Sequence, residues 1–465
     1  MRSVINNGRR PSFATSTRRL AAVAVGGVCL SMTVACKHRV AETKSSATPL
    51  IIIASCDTAG WIEPCGCSSG QSGGLSRRAT LAHELSEGHP ATLVSVGGAA
   101  SGSRAYDLEK LRSILMGESL MGYAAHNLGW SELAIPAESL RRVAGGVPLL
   151  STNVKNDSPA FNVVHPFIVS QQGDYRILVL GVVGGGDPER GYRIEDPETA
   201  ILNVLSKVDE QEITYDAVVV LAYLERESLM ELASRLPEVD VFIGGPGAQS
   251  IAPTQVGSTL VTGVNNKGKF LARVTGNREG SNQIFTADLH EVTDRWAQDD
   301  VQQQNLVAFR DRLRDLDLAA DQTSFVAVTH VSSSDDRFVG IDACRSCHNH
   351  DDDAWRMSAH SHAWQTLEQK TAEVDAACQR CHTTGFGKSG GFNRRSDSTD
   401  RVDVGCESCH GPSSRHVDDP SVSTPWQADE TCISCHDHEN SPSFQYDSYW
   451  SKIVHGEKEP VDETL

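Results

Sequence analysis

Cys344-Arg345-Ser346-Cys347-His348, Cys378-Gln379-Arg380-Cys381-His382, Cys406-Glu407-Ser408-Cys409-His410 and Cys432-Ile433-Ser434-Cys435-His436 spell one pattern, Cys-x-x-Cys-His, four times within the last third of the chain. Two thiols at that spacing can each add to a vinyl group of one porphyrin, and the histidine that follows lies under the ring as an iron ligand. Structural zinc on paired Cys-x-x-Cys motifs is the alternative, but zinc does not require a histidine after every pair. The expectation is therefore four covalently bound c-type haems, attached through the eight motif cysteines, with His348, His382, His410 and His436 as proximal iron ligands.

Outward from these motifs the composition changes at about residue 338. Histidine and cysteine become dense and apolar runs vanish. Such a segment cannot build an ordinary core, so residues 338–465 are expected to be short helices and loops wrapped around a haem stack. Between the motifs stand Trp355-x-x-Ser358-x-His360-x-x-Ala363, Cys381-His382-Thr383-Thr384-Gly385-Phe386 and Val404-Gly405-Cys406-Glu407-Ser408-Cys409-His410-Gly411-Pro412. They are followed by His416, Tyr449-Trp450 and His455-Gly456.

This set resembles the cytochrome c-552/4 type of tetrahaem cytochrome, related to the haem domains of octahaem nitrogen-cycle enzymes. The resemblance implies that His360, His416 and His455 are distal ligands. It leaves the fourth distal position open among His350, His362, His438 and His330. Met357 is the sole methionine of the segment, so at most one haem can be His/Met. Bis-histidine ligation and low potentials are the expected state.

The preceding part has a different texture. Apolar runs bounded by turn residues recur at Leu50–Ala54, Ala91–Val96, Tyr175–Leu180, Ala217–Leu221, Val239–Ile243 and Thr259–Val261. Helical patterns at Leu75–Leu85, Asp107–Met121, Pro197–Val208 and Glu225–Leu236 separate them. Strands buried on both faces that alternate with helices predict an α/β layered domain over residues 49–295. Residues 296–337 read as a helical linker. Its helix over 296–320 carries Leu306, Val307, Phe309, Leu313 and Leu316, and is expected to pack between the two halves or to space them.

The opening of that domain, Asp57, then Glu63-Pro64-Cys65-Gly66-Cys67, then Gly73-Gly74-Leu75-Ser76-Arg77-Arg78-Ala79-Thr80-Leu81, resembles the 5′-nucleotidase and UDP-sugar hydrolase branch of the calcineurin-like metallophosphoesterases. That family holds two metals through Asp-x-His, Gly-Asp, Gly-Asn-His-Glu and two later histidine motifs, and the metals clamp phosphate and activate water. Here Ala59 stands for the first histidine, Gly97-Gly98-Ala99 lacks the carboxylate, and Asn127 is followed by Leu128. The later histidine positions read Leu221-Ala222-Tyr223 and Gly244-Gly245-Pro246. Only Asp57 and Asn127 survive, so the domain is expected to be a degenerate, hydrolytically inactive phosphoesterase.

Of 13 cysteines, eight lie in the haem motifs, and Cys29 and Cys36 fall in the leader, which leaves Cys56, Cys65 and Cys67. Two readings stand side by side: a redox or soft-metal site in place of the hydrolytic one, or a loop staple from Cys56 to Cys65 or Cys67 with one spare thiol. Residues 1–36 carry five arginines without an acid, then an apolar stretch ending Thr33-Val34-Ala35-Cys36, the pattern of a secretory signal with a lipobox-like end. Cys36 is the expected lipid anchor to a membrane, and 37–48 a polar tether.

With 60 Asp and Glu against 42 Lys and Arg, nucleic acid is excluded as a partner. The function expected is electron transfer in the periplasm or at the cell surface, with redox proteins, quinol-linked or other cytochromes, as partners. Two alternatives stand beside this electron carrier: a haem redox enzyme acting on a small nitrogen or sulfur compound at an open iron, and an active metal-dependent 5′-nucleotidase fused to a cytochrome.

Overall fold

The computed structural model describes residues 48–64, 70–185, 188, 190–246, 250–264, 267–279, 282–325, 335–424 and 428–456. The expected signal and Cys36, together with Cys65, Cys67 and His330, lie outside them. No helix among the described residues is long and apolar enough to cross a membrane.

The apolar runs become strands: β1 (Leu50–Ser55), β2 (Thr92–Ser95), β3 (Tyr123–Asn127), β4 (Leu149–Leu150), β5 (Val154–Asn156), β6 (Val164–His165), β7 (Ile168–Gln172) and β8 (Tyr175–Val183). They continue with β9 (Tyr192–Ile194), β10 (Ala217–Tyr223), β11 (Val241–Gly245), β12 (Ile251–Val256), β13 (Thr259–Gly263), β14 (Phe270–Glu279) and β15 (Asn282–Glu291). One sheet runs β15-β14-β1-β2-β3-β4-β6, a second β12-β13-β11-β10-β8-β7, and β5 pairs with β9. The centres of both large sheets are parallel, and the antiparallel pairings lie toward the edges.

Helices α1 (Leu75–Ser86), α2 (Ala105–Leu120), α3 (Trp130–Leu133), α4 (Ala137–Val143), α5 (Pro197–Glu210), α6 (Arg226–Arg235) and α7 (Asp300–Leu316) complete the domain. The alternation along single strands shows the layering. Leu50, Ile52 and Ala54 of β1 join Val179, Val219 and Ile243 in a core between the sheets, whereas Ile51 and Ile53 turn outward onto Leu81 and Leu85 of α1. In the second sheet Leu178, Leu180, Val218 and Val220 face away from that core onto Ile201 and Val204 of α5 and Leu229 and Leu232 of α6. A one-residue slip of β1 would exchange those faces. Each such buried side chain contributes about 1.5–3 kcal/mol of apolar transfer, so the register is strongly determined.

Helix α7 is capped by Asp299, which accepts from Gln302 N at 2.9 Å. Leu306, Phe309 and Leu313 enter the main core, while Val307 and Leu316 are 54% and 49% exposed. The apolar stripe is thus narrower than the five residues expected, because only the i, i+3, i+7 row faces the domain. Arg310 pairs with Glu63 of the same domain, and the helix also reaches the carboxy-terminal region, where Arg310 donates to Lys370 O at 3.2 Å and Arg314 meets Glu373 at 3.5 Å.

That region is built from short helices: α8 (Ile341–Arg345), α9 (Asn349–Arg356), α10 (Ala363–Glu368), α11 (Ala376–His382), α12 (Cys406–His410), α13 (Ser414–Asp418), α14 (Ala428–Ile433) and α15 (Tyr446–Trp450). Its buried apolar side chains are few, chiefly Ala363, Leu367, Val374, Ala376 and Phe392. Val374 and Ala376 belong to the main core cluster of the preceding domain.

Candidate haem sites and the adjoining strand-end face

Each haem motif occupies a helical turn. His348 N donates to Cys344 O at 3.0 Å and His436 N to Cys432 O at 2.9 Å. In that turn the first cysteine and the histidine, four residues apart, share one face. Asp375 caps α11 by accepting from Ala377 N at 2.9 Å, which fixes the start of the second motif.

The histidines come in facing pairs. Ring centroids are 6.0 Å apart for His348 and His416, 6.3 Å for His360 and His436, and 6.0 Å for His410 and His455. An imidazole nitrogen binds a transition metal at about 2 Å, and its ring centre lies about 1 Å farther back, so two axial imidazoles on one iron stand roughly 6 Å apart. The residues fit bis-histidine haem at three sites. His360, though it precedes the second motif, faces the histidine of the fourth.

Hydrogen bonds aim several of these rings. Nδ1 of His382 lies 2.7 Å from Ala363 O, that of His416 2.7 Å from Val422 O and that of His455 2.8 Å from Ile453 O. His436 Nδ1 is 3.2 Å from Ser441 Oγ. A carbonyl can only accept, so Nδ1 carries the proton and Nε2 presents its lone pair to a metal. Burial lowers the affinity of His360, His410 and His436 for a proton, which keeps them in the neutral form that ligation needs.

His382 differs: among the described residues no imidazole faces it. His350, His362 and His438 are exposed and join none of the facing pairs, and Met357 is 90% exposed. The four sites adjoin in a definite order. The free thiols of Cys344 and Cys406 lie within hydrogen-bonding reach of each other, as do those of Cys381 and Cys435, while Cys409 lies beside Cys432 and Cys435. The first site therefore neighbours the third, the third the fourth, and the fourth the second.

The second constellation lies at the carboxyl ends of the central strands of the α/β domain. Asp57 follows β1 in the left-handed region, φ 51°. Its Oδ1 accepts from the Tyr223 hydroxyl at 3.4 Å, and burial raises its carboxyl above the ordinary range. The Tyr223 ring fills the space above two glycines: a Cβ on Gly98 would come 2.8 Å from its hydroxyl, and one on Gly129 2.9 Å from the ring. Asn127 is turned onto backbone, donating to Val96 O at 3.0 Å and Val182 O at 3.1 Å.

Sequence reading missed the group beside them. Glu132, fully buried, accepts from the N–H groups of Gly98, Ala99, Ala100 and Gly129 at 2.7–3.0 Å. His126 stands between Glu118 at 2.6 Å and Glu132 at 3.9 Å. Burial alone would lower His126, but the Glu118 carboxylate outweighs it and lifts the imidazole to about 10. Burial would likewise raise Glu132, yet the hydrogen bonds and charge of His126 and the surrounding N–H groups bring it to about 2. Only the capping relation of Glu132 to Gly129 was local enough to be read in sequence. Among the described residues no group of three or more His, Cys, Asp or Glu is placed to hold a metal ion.

Cys56, directly after β1, has no exposure, and burial pushes its thiol well up, so it stays protonated. The haem-bearing region lies against this strand-end face. Gln71 donates to Glu439 O at 2.7 Å, Lys267 pairs with the Glu439 carboxylate, and the Tyr106 hydroxyl meets Asp375 at 2.5 Å.

Cys-x-x-Cys-His motifs with facing imidazoles mark a c-type cytochrome region, and the paired sheets flanked by helices define a metallophosphoesterase-like layer fold. Residues 343–411 match the family of cytochrome c554 and c-prime. A 95-residue stretch is 35% identical to cytochrome c-554 of Nitrosomonas europaea and covers 17% of this chain and 40% of that protein.

Among solved structures, the 5′-nucleotidase precursor of Thermus thermophilus superposes with a TM-score of 0.50 at 17% identity, covering 58% of this chain and 60% of that one. Reduced cytochrome c554 of Nitrosomonas europaea gives a TM-score of 0.21 at 25% identity, over 26% of this chain and 80% of that one. The chain thus spans less than half the length of its curated relative. It carries a carboxy-terminal cytochrome c554-type region, for which covalent haem c is the cofactor, after an amino-terminal domain with the 5′-nucleotidase fold.

Proposed function

We propose that this chain is an exported tetrahaem cytochrome that carries electrons, with the phosphoesterase-fold domain as a hydrolytically silent platform. The observation that carries the reading is the pairing of imidazoles at 6.0–6.3 Å on three of the four motif histidines. Bound haem supplies one-electron redox chemistry at each site. The chain's own residues attach the porphyrin edge through the motif cysteines, aim Nε2 of each ligand, and hold the four sites in the order first, third, fourth, second.

The silence of the amino-terminal domain rests on Tyr223. Its ring occupies the space above Gly98 and Gly129, and its hydroxyl engages Asp57. The signal-like segment and Cys36 support export and lipid anchoring, which fits redox partners at a membrane, quinol-linked or other cytochromes.

Expression with a c-type maturation system tests the reading. Four covalent haems per chain are expected, at least three of them low-spin; fewer than four would overturn it. Phosphate release from nucleotides with added divalent metals would overturn the silent platform.

A second reading has its own observation. His382 faces no imidazole among the described residues, and a haem held there without a second protein ligand would bind a small molecule at its iron, so that the chain would act on a small nitrogen or sulfur compound. Cyanide or nitric oxide binding at one high-spin haem is its expected result, and four low-spin haems would remove it.

A further inference from the structure

Among the ligand histidines, His348 has a charged neighbour at Nδ1. Asp351, three residues on in the first turn of α9, places Oδ2 at 3.4 Å from that nitrogen. The Nδ1 partners of His382, His416, His436 and His455 are neutral oxygens, and the Asp351 charge also reaches His410 of the third site. A second carboxylate lies deeper. Glu407, inside the third motif, is 2% exposed. Its oxygens accept from Val339 N at 3.0 Å, Gly340 N at 2.8 Å and Ser413 N at 3.0 Å, and among the described residues no cation pairs with it.

Gly340 caps the helix that carries Cys344, so Glu407 bridges the first and third sites, and its charge reaches the thiols of both Cys344 and Cys406. All of its partners are N–H donors, the complement of an acceptor-only carboxylate. A buried anion acts at low dielectric and disfavours adding an electron to a nearby iron, and an anion on Nδ1 makes a ligand imidazole a stronger donor to the oxidised metal.

We propose that Glu407 and Asp351 are positioning residues that hold the first and third haems at low potential, Glu407 bridging the two sites and Asp351 bearing most directly on the first. The inference rests on the four-haem reading above, so covalent haem is counted in the unaltered chain before any potential is measured. Fewer than four haems there defeats that reading and not the role of the carboxylates.

The experiment is a spectroscopic redox titration of the full-length, fully loaded protein and its variants. Glu407→Gln is expected to raise two of the four midpoint potentials and leave two unchanged, and Asp351→Asn to raise the same two, one of them by more than the other. Glu407→Asp, which keeps the charge, is expected to preserve all four midpoints. Unmoved midpoints in Asp351→Asn, or a uniform shift of all four in Glu407→Gln, would overturn the proposal. Asp351 is partly exposed, so its variant carries the test if Glu407→Gln fails to acquire four haems.

Discussion

The two halves of this molecule are held together by different means. In the amino-terminal domain single strands such as β1 and β8 bury nearly every side chain, and helices α1, α5 and α6 cover the outer sheet faces. In the carboxy-terminal region the helices are mostly five to eight residues long and bury few apolar side chains, yet the cysteines and histidines are brought into register. The lesson is that one half derives its order from apolar burial and the other from the ligands it arranges. In the first, chemistry could be lost from the strand ends without loss of the fold. In the second, chemistry and fold are the same set of contacts.

The hardest way to break that comparison is to withhold haem. Produced without c-type maturation, residues 338–456 are expected to be cut rapidly in limited proteolysis while the amino-terminal domain survives; equal resistance of both halves would refute the division. The converse strike is Phe242→Ala. It truncates a fully buried ring in the outer core and should cost about 3–5 kcal/mol in denaturant unfolding of the amino-terminal domain, with haem count unchanged.

Of similar size is His126→Ala, which leaves the buried carboxylates of Glu118 and Glu132 without their shared cation at a cost of about 3–5 kcal/mol. The same triad sets a pH window. His126 is raised from 6.5 to about 10, so its contribution is complete below pH 6.5 and lost as pH rises through 10. Glu132 is lowered from 4.5 to about 2, so its contribution is complete above pH 4.5 and lost as pH falls toward 2. Denaturant midpoints should be flat between pH 4.5 and 6.5, where both contributions are complete. The smallest effect belongs to the boundary between the halves: Arg314→Ala removes a partly exposed ion pair with Glu373 and should change stability by about 1 kcal/mol or less.

Legibility in the sequence follows the same division. Period and apolar run predicted β1, β8, β10 and the four principal helices nearly to their ends, because those residues meet the core on most faces. The hairpin of β14 and β15 was not legible, since its polar residues look outward. Motif spacing located the proximal histidines, but which distal imidazole faces which motif is a matter of chain return: nothing local to His360 points to His436. Glu132 and His126 escaped because their partners come together only through the ends of β2 and β3.

Tyr223 has a consequence for what the strand ends can be made to hold. No carboxylate fits at position 98 while the tyrosine stands, since the first carbon of any side chain there would collide with its hydroxyl. Nor can a histidine at 59 help alone. Any attempt to install a metal-ligand set at these strand ends must therefore begin at position 223, because changes at 98 or 59 made before it have no room to act.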